Sequence, residues 1–194
     1  MSANTKKKQF VLFCAGLLIL AFAAGCDKAP TQPNVPGNPP STSQSSAQTG
    51  QQPSAQERTY VLYRADAKAD KLVAELVRKP DSEQPEKRAL ELLLSEPVKD
   101  KRLINVMPKD VRLLDLTIRD KIAYADFSKE LKTNALGGAA YEILLVNGIV
   151  NTLTEFKTIE RVQLLINGRA IATINGHMDL TDPIERDQNM IKQP

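Results

Sequence analysis

Thiols are almost absent from this chain. Its 194 residues hold two cysteines, Cys14 and Cys26, so from Asp27 onward there is no thiol. That stretch can form no disulfide, cysteine nucleophile or cysteine-ligated zinc or iron–sulfur site. Histidine is as scarce: His177, near Asp179 and Asp182, is the one imidazole. An imidazole beside carboxylates could bind a metal or act as a base. Without a second histidine, a thiol or a Gly-x-Ser-x-Gly nucleophile motif, that reading is the weaker one. No catalytic residue, metal or cofactor is expected. An excess of one charge is missing too. There are 26 Lys and Arg against 23 Asp and Glu, and Lys6, Lys7 and Lys8 fall in the first 25 residues. The remainder carries 23 of each sign, whereas a nucleic-acid partner would call for a basic face. Nor is there a long hydrophobic run. The uncharged stretch Phe10–Ala24 is about 15 residues, short of the roughly 20 that span a bilayer as a stable helix.

What stands at the N-terminus is an export signal. A basic patch, a short apolar stretch and the small residues Ala23-Ala24-Gly25 before Cys26 make a secretory signal peptide. Small residues directly before a cysteine make it resemble a bacterial lipoprotein signal with its lipobox. The resemblance implies cleavage between Gly25 and Cys26 and a thioether diacylglycerol on Cys26. The expected location is extracytoplasmic, lipid-anchored to the outer face of the cell membrane. Residues 26–56 are rich in Pro, Ser and Gln and nearly free of large apolar residues. Such a segment cannot bury enough surface to offset its ordering entropy and reads as a disordered tether.

The folded part is expected over 57–187, with 188–194 a frayed tail. Arg58–Arg64 alternates as a strand, Asp66–Asp70 is a polar turn, and Lys71–Arg78 pairs back. Asp81 or Ser82 can cap a helix that turns Ala89, Leu90, Leu93 and Leu94 inward and ends before Pro97. The link 98–110 is partly apolar and is expected to pack on the domain. Residues 111–128 read as a hairpin with Asp120-Lys121 at its tip. Tyr141, Leu144, Leu145, Ile149, Leu153 and Phe156 then recur at helical spacing, with Asn147, Asn151, Thr154 and Glu155 the only polar stripe. A helix this apolar must be covered on most of its circumference. Ile159–Asn167 follows as a strand, and Asn167-Gly168 is a tight turn into Ala170–Ala172. No internal repeat appears.

Four stretches carry a family likeness. They are Ala89–Leu94 through Pro97, Met107-Pro108 followed by Val111, and Ala125-Asp126-Phe127-Ser128 with Leu131. The fourth joins Thr152-Leu-Thr-Glu-Phe156 to Val162–Gly168. In this order, from roughly Tyr60 to Pro183, the chain resembles the GerMN domain of sporulation and spore-germination proteins. It departs at Lys109-Asp110, Glu96 and Ala125. The resemblance implies an α+β single domain, a mixed/antiparallel sheet with two helices packed on one face, like ring-building motifs. It implies no catalytic residues, and a structural part for Pro108, Asp126, Phe127, Ser128, Glu155, Phe156 and Gly168.

Asp126 and Ser128 suit backbone donors at the hairpin exit, with Phe127 in the core. Gly137-Gly138 could cradle an anion at a helix N-terminus, but more simply lets the chain turn. Ile143, Val146 and Val150 lie off the main apolar stripe. Covered, they are core; exposed, they are a protein-contact patch. The function expected is a non-enzymatic interaction or assembly module in sporulation, germination or the cell envelope. Its partner would be an envelope or sporulation protein, or a second copy. The alternative is a peptidoglycan-binding module that positions or escorts a cell-wall hydrolase.

Overall fold

The computed structural model describes residues 56–193. The signal peptide, Cys26 and nearly all of the tether lie outside the described residues. Among those described, no helix is long and apolar enough to cross a membrane.

The α+β class holds, with the strands divided between two sheets. The first has the order β2-β1-β3 and is antiparallel: β1 is Glu57–Asp66, β2 Leu72–Pro80 and β3 Leu103–Ile104. The second runs β4-β5-β6-β7, with β8 also on β6. Its members are β4 Leu113–Arg119, β5 Ile122–Phe127, β6 Arg161–Ile166, β7 Arg169–Ala170 and β8 Ile184–Glu185. β5 and β6 are parallel, so a crossover must join them. The short α2, Glu130–Thr133, and the long α3, Ala139–Leu153, supply it.

The α1 helix, Pro85–Ser95, opens on Pro85 at its first position, where a missing N–H costs nothing. Gln84 is the cap residue, and Ser82 Oγ accepts the Gln84 N–H at 3.2 Å, so Ser82 stands just outside the helix. The buried residues are Ala89, Leu90, Leu92 and Leu93, with Leu94 only half-buried. The link is fastened down as expected: Leu103, Val106, Met107 and Pro108 are buried.

The hairpin turns on Asp120 and Lys121, both at positive φ (49° and 61°). This pattern matches the right-handed twist of the strands it joins. Leu114 is an extra residue between Leu113 and Asp115, a bulge in the β4–β5 ladder. At the other turn, Asn167 and Gly168 also take positive φ, 49° and 76°.

Burial of α3 goes further than its apolar stripe required, because α3 packs against β1, β2, β6 and α1 together. Every residue from Leu144 to Leu153 is buried, the polar stripe included. Val146 and Val150 are therefore core, not a contact patch, and Ile143 is half-buried. The expected frayed tail is a second correction. Residues 188–190 form a 3-10 turn, Ile191 bridges Leu72, and the Lys192 N–H donates to the Leu72 carbonyl at 2.7 Å. Backbone pairing beside β2 holds this segment where composition alone suggested fraying.

Candidate functional site

The residues singled out at the hairpin exit form a structural joint. Asp126 Oδ1 accepts the Gly168 N–H at 2.9 Å, and the Phe127 carbonyl accepts the Asn167 N–H at 3.0 Å. β5 thus fixes the turn that ends β6. Phe127 is fully buried. Ser128 exchanges two bonds with Arg112: its N–H donates to the Arg112 carbonyl at 2.9 Å, and its Oγ accepts the Arg112 N–H at 3.1 Å. A hydrogen bond from Ser128 also holds the Glu130 carboxyl below its ordinary range.

Glu155 anchors a second joint at the C-terminal end of α3. Its Oε1 accepts from the Tyr63 hydroxyl at 2.8 Å and from Arg186 Nη2 at 2.6 Å. The Arg186 guanidinium lies 5.0 Å from the Tyr63 ring centre, and its Nη1 donates to the Asn151 carbonyl at 2.9 Å. Burial first, then the Glu155 hydrogen bond, push the Tyr63 hydroxyl pKa up. This cluster ties β1, α3 and the segment after β8 together. Phe156 is half-buried against the core.

Two fully buried charges were not anticipated. Arg64 donates through Nη1 to the Leu93 carbonyl at 2.8 Å and through Nη2 to the Glu96 carbonyl at 2.9 Å, with Nε on Glu75 at 3.2 Å. It satisfies the end of α1, where carbonyls lack intrahelical donors and the helix dipole favours a cation. Glu142 does the converse for a loop. Its Oε1 accepts from the Thr173 hydroxyl at 2.8 Å and the Ile174 N–H at 2.9 Å, and its Oε2 from the His177 N–H at 3.0 Å. Burial alone would raise its pKa. The Thr173 hydroxyl and the N–H groups of Asn175, His177 and Ile174 outweigh that and hold it below the ordinary 4.5. The available signal was a lone charge inside an apolar run, which must find partners once buried.

His177 reaches Glu142 through its backbone N–H, and the residue itself is exposed. Asp179 accepts from the N–H and the hydroxyl of Thr181. Among the described residues, no three His, Cys, Asp or Glu side chains are grouped to hold a metal. Gly138 sits at φ +105°, in the turn that starts α3, where a side chain would be strained. Pro108 is buried along a cavity of about 380 Å³ shared with Met107, Tyr141 and Leu136, and Leu136 is 62% exposed.

What faces outward is strand edge. Among the described residues β4 pairs only with β5, and Leu114 and Ile118 on it are 41% and 37% exposed. β2 carries Leu76, 69% exposed, on an edge that Ile191 bridges at Leu72.

Residues 61–172 match the family model described as Germane, sporulation and spore germination. The chain is similar to the first GerMN domain of the sporulation protein GerM from Bacillus subtilis. Identity is 30% and the TM-score 0.56, over 68% of this chain and 98% of that one. It is also similar to the tandem GerMN domains of that protein, at 30% identity and a TM-score of 0.59, over 67% of this chain. It spans 46% of the tandem structure. No curated protein matches the sequence. The chain belongs to the Germane family of sporulation and spore germination domains.

Proposed function

We propose that this protein is an extracytoplasmic module, lipid-anchored through Cys26, that serves sporulation or germination by protein contact and not by catalysis. The observation that carries this reading is where the polar side chains of the shared motif go. Asp126, Ser128 and Glu155 are each bound to a backbone or structural partner, while two strand edges face outward. A catalytic site needs titratable groups converging in a cleft with capacity left for a substrate. A contact module needs a rigid frame and an unpartnered edge, and main-chain hydrogen bonds at such an edge give affinity.

The test is the heat-resistant spore titre of a strain lacking the gene, complemented by the full chain or by its Cys26→Ala variant. A large drop that the full chain restores, and the unlipidated variant does not, supports an anchored contact module. An unchanged titre with normal germination overturns the reading. Co-sedimentation of the full chain with purified peptidoglycan would then favour the wall-binding alternative.

A further inference from the structure

We propose that two copies of this chain pair antiparallel through the edge of β4 that no described strand occupies, about a twofold axis at Thr117. The inference deepens the contact-module reading, on which it rests, by naming an edge and a partner for it.

The register follows from the turn. Arg119 and Ile122 flank the two-residue turn, so they are a hydrogen-bonded pair. Alternation then directs the N–H and C=O groups of Asp115, Thr117 and Arg119 toward β5. Those of Leu116 and Ile118 point away from the sheet. A second β4 centred on Thr117 sets Leu116 opposite Ile118 twice, and all four residues exchange backbone hydrogen bonds. The side chains match as well. Leu116 and Ile118 share the face of Ala125 and Ala123, so the apolar pairs meet on that face. On the other, Asp115 stands opposite Arg119 of the second copy, twice, with Thr117 against Thr117. Read from either end, the segment runs charge, apolar, hydroxyl, apolar, opposite charge.

The bulge at Leu114 and the turn at Asp120 frame this regular stretch. Moving the axis to Leu116 would put Asp115 opposite Thr117, lose both ion pairs and draw the bulge into the ladder. β2 offers no equal register. An axis at Leu76 sets Ala74 against Arg78. Pairing about Val77 needs Glu75 and Lys79, already in ion pairs with Arg64 and Glu96. Asp115, by contrast, accepts the Thr117 hydroxyl at 2.9 Å and Arg119 lies 5.1 Å from the Tyr124 ring centre, neither of them an ion pair. An isologous contact of this kind closes at two copies.

The full chain carrying Thr117→Cys tests the geometry directly. Opposed residues of a non-hydrogen-bonded antiparallel pair have Cα atoms about 4.5 Å apart, within the roughly 4.4–6.8 Å that a disulfide spans. Mild oxidation should give a disulfide-linked dimer that is absent from the parent chain, whose Cys14 and Cys26 set the background. Adding Asp115→Arg places arginine opposite arginine and should cut the cross-linked fraction on the order of tenfold. Adding Arg119→Asp to that variant re-forms both pairs with reversed sign and should restore the dimer. Sedimentation velocity of the full chain in detergent, parent against Asp115→Arg, decides the same point without an added cysteine. A Thr117→Cys chain that gives no more dimer than the parent overturns the proposal. So does a yield unchanged by Asp115→Arg, or one that the charge swap fails to restore. A chain monomeric in both assays that still restores spore formation overturns self-pairing alone. A cross-linked dimer beside an unchanged spore titre would overturn the sporulation reading and leave the pairing standing.

Discussion

The closed edge of β1 and the open edge of β4 answer the same physical problem in opposite ways. Any edge strand presents unpaired N–H and C=O groups. β3 borders β1 only at Ala65 and Asp66, and beyond them α3 takes over: the Thr152 hydroxyl accepts the Tyr63 N–H at 3.0 Å. Gly148 lets the helix approach so closely that an added Cβ would lie 3.3 Å from the Tyr63 carbonyl oxygen. At β4 no described strand pairs on the outer side, and among the described residues no hydrogen bond reaches the outward backbone groups of Leu116 or Ile118. The difference shows which surface the fold encloses and which it offers. Thr152 and Glu142 on α3 are held by named partners, whereas among the described residues the backbone groups of Leu116 and Ile118 that point away from β5 have no hydrogen-bond partner.

The strongest way to break the comparison is to push α3 off its edge. Gly148→Val places a branched side chain against main chain that cannot swing aside. It should destabilise the domain by about 2 kcal/mol, as overpacking does, read as a lower midpoint in urea unfolding. Gly148→Ala should come close to neutral, since the helix gains about 1 kcal/mol in propensity against a contact that must give by tenths of an ångström.

Next in size is the acidic anchor at the start of the same helix. Glu142→Gln keeps the shape and removes the charge that four donors stabilise. The expected loss is about 1.5 kcal/mol at neutral pH, in the range for hydrogen bonds to a charged group. The sign follows from the depressed pKa. The folded value lies below the unfolded 4.5, so the stabilisation is present above 4.5 and is lost as pH falls through the folded pKa. The difference between parent and variant should therefore shrink as pH drops below about 4.5, measured by thermal unfolding across that range. Thr152→Val, nearly isosteric, should cost about 1 kcal/mol by leaving the Tyr63 N–H without its partner.

Much of this was legible in the sequence. Period-two alternation located the β4–β5 hairpin and its tip, and the apolar run from Tyr141 to Phe156 marked α3 as the central helix. The structural roles of Asp126, Phe127 and Ser128 follow from a short polar side chain at a strand exit beside a core aromatic. Other features depend on contacts far apart in the chain. Arg64 reads as the solvent-facing end of a strand until α1 presents its carbonyls there, 29 residues away. Glu142 reads as a charge on the first, exposed turn of a helix until residues 173–177 fold over it. Val146 and Val150 read as either core or contact patch, because helical spacing gives one helix's stripe, and not the number of neighbours that will cover it. The segment after Asp187 looked frayed because its anchor is a backbone bond to Leu72, which composition does not encode.

A small effect on stability is expected at the open edge, and it separates the two edges most directly. Proline removes a backbone N–H and tolerates extended backbone, so it is accepted on an edge strand whose N–H faces solvent. Ile118 occupies such a position, because the turn at Asp120-Lys121 directs the N–H groups of Thr117 and Arg119 into the sheet. Ile118→Pro should therefore change unfolding stability by no more than about 1 kcal/mol, most of it from apolar surface lost beside Ala123. The same substitution removes two of the four backbone donors available for a second β4, one on each copy. A near-parent unfolding midpoint together with loss of the cross-linked dimer would show that the edge is dispensable to the fold and required for the contact. A collapse in stability would mean that the Ile118 N–H already has an intramolecular partner, and the two edges would then be closed alike.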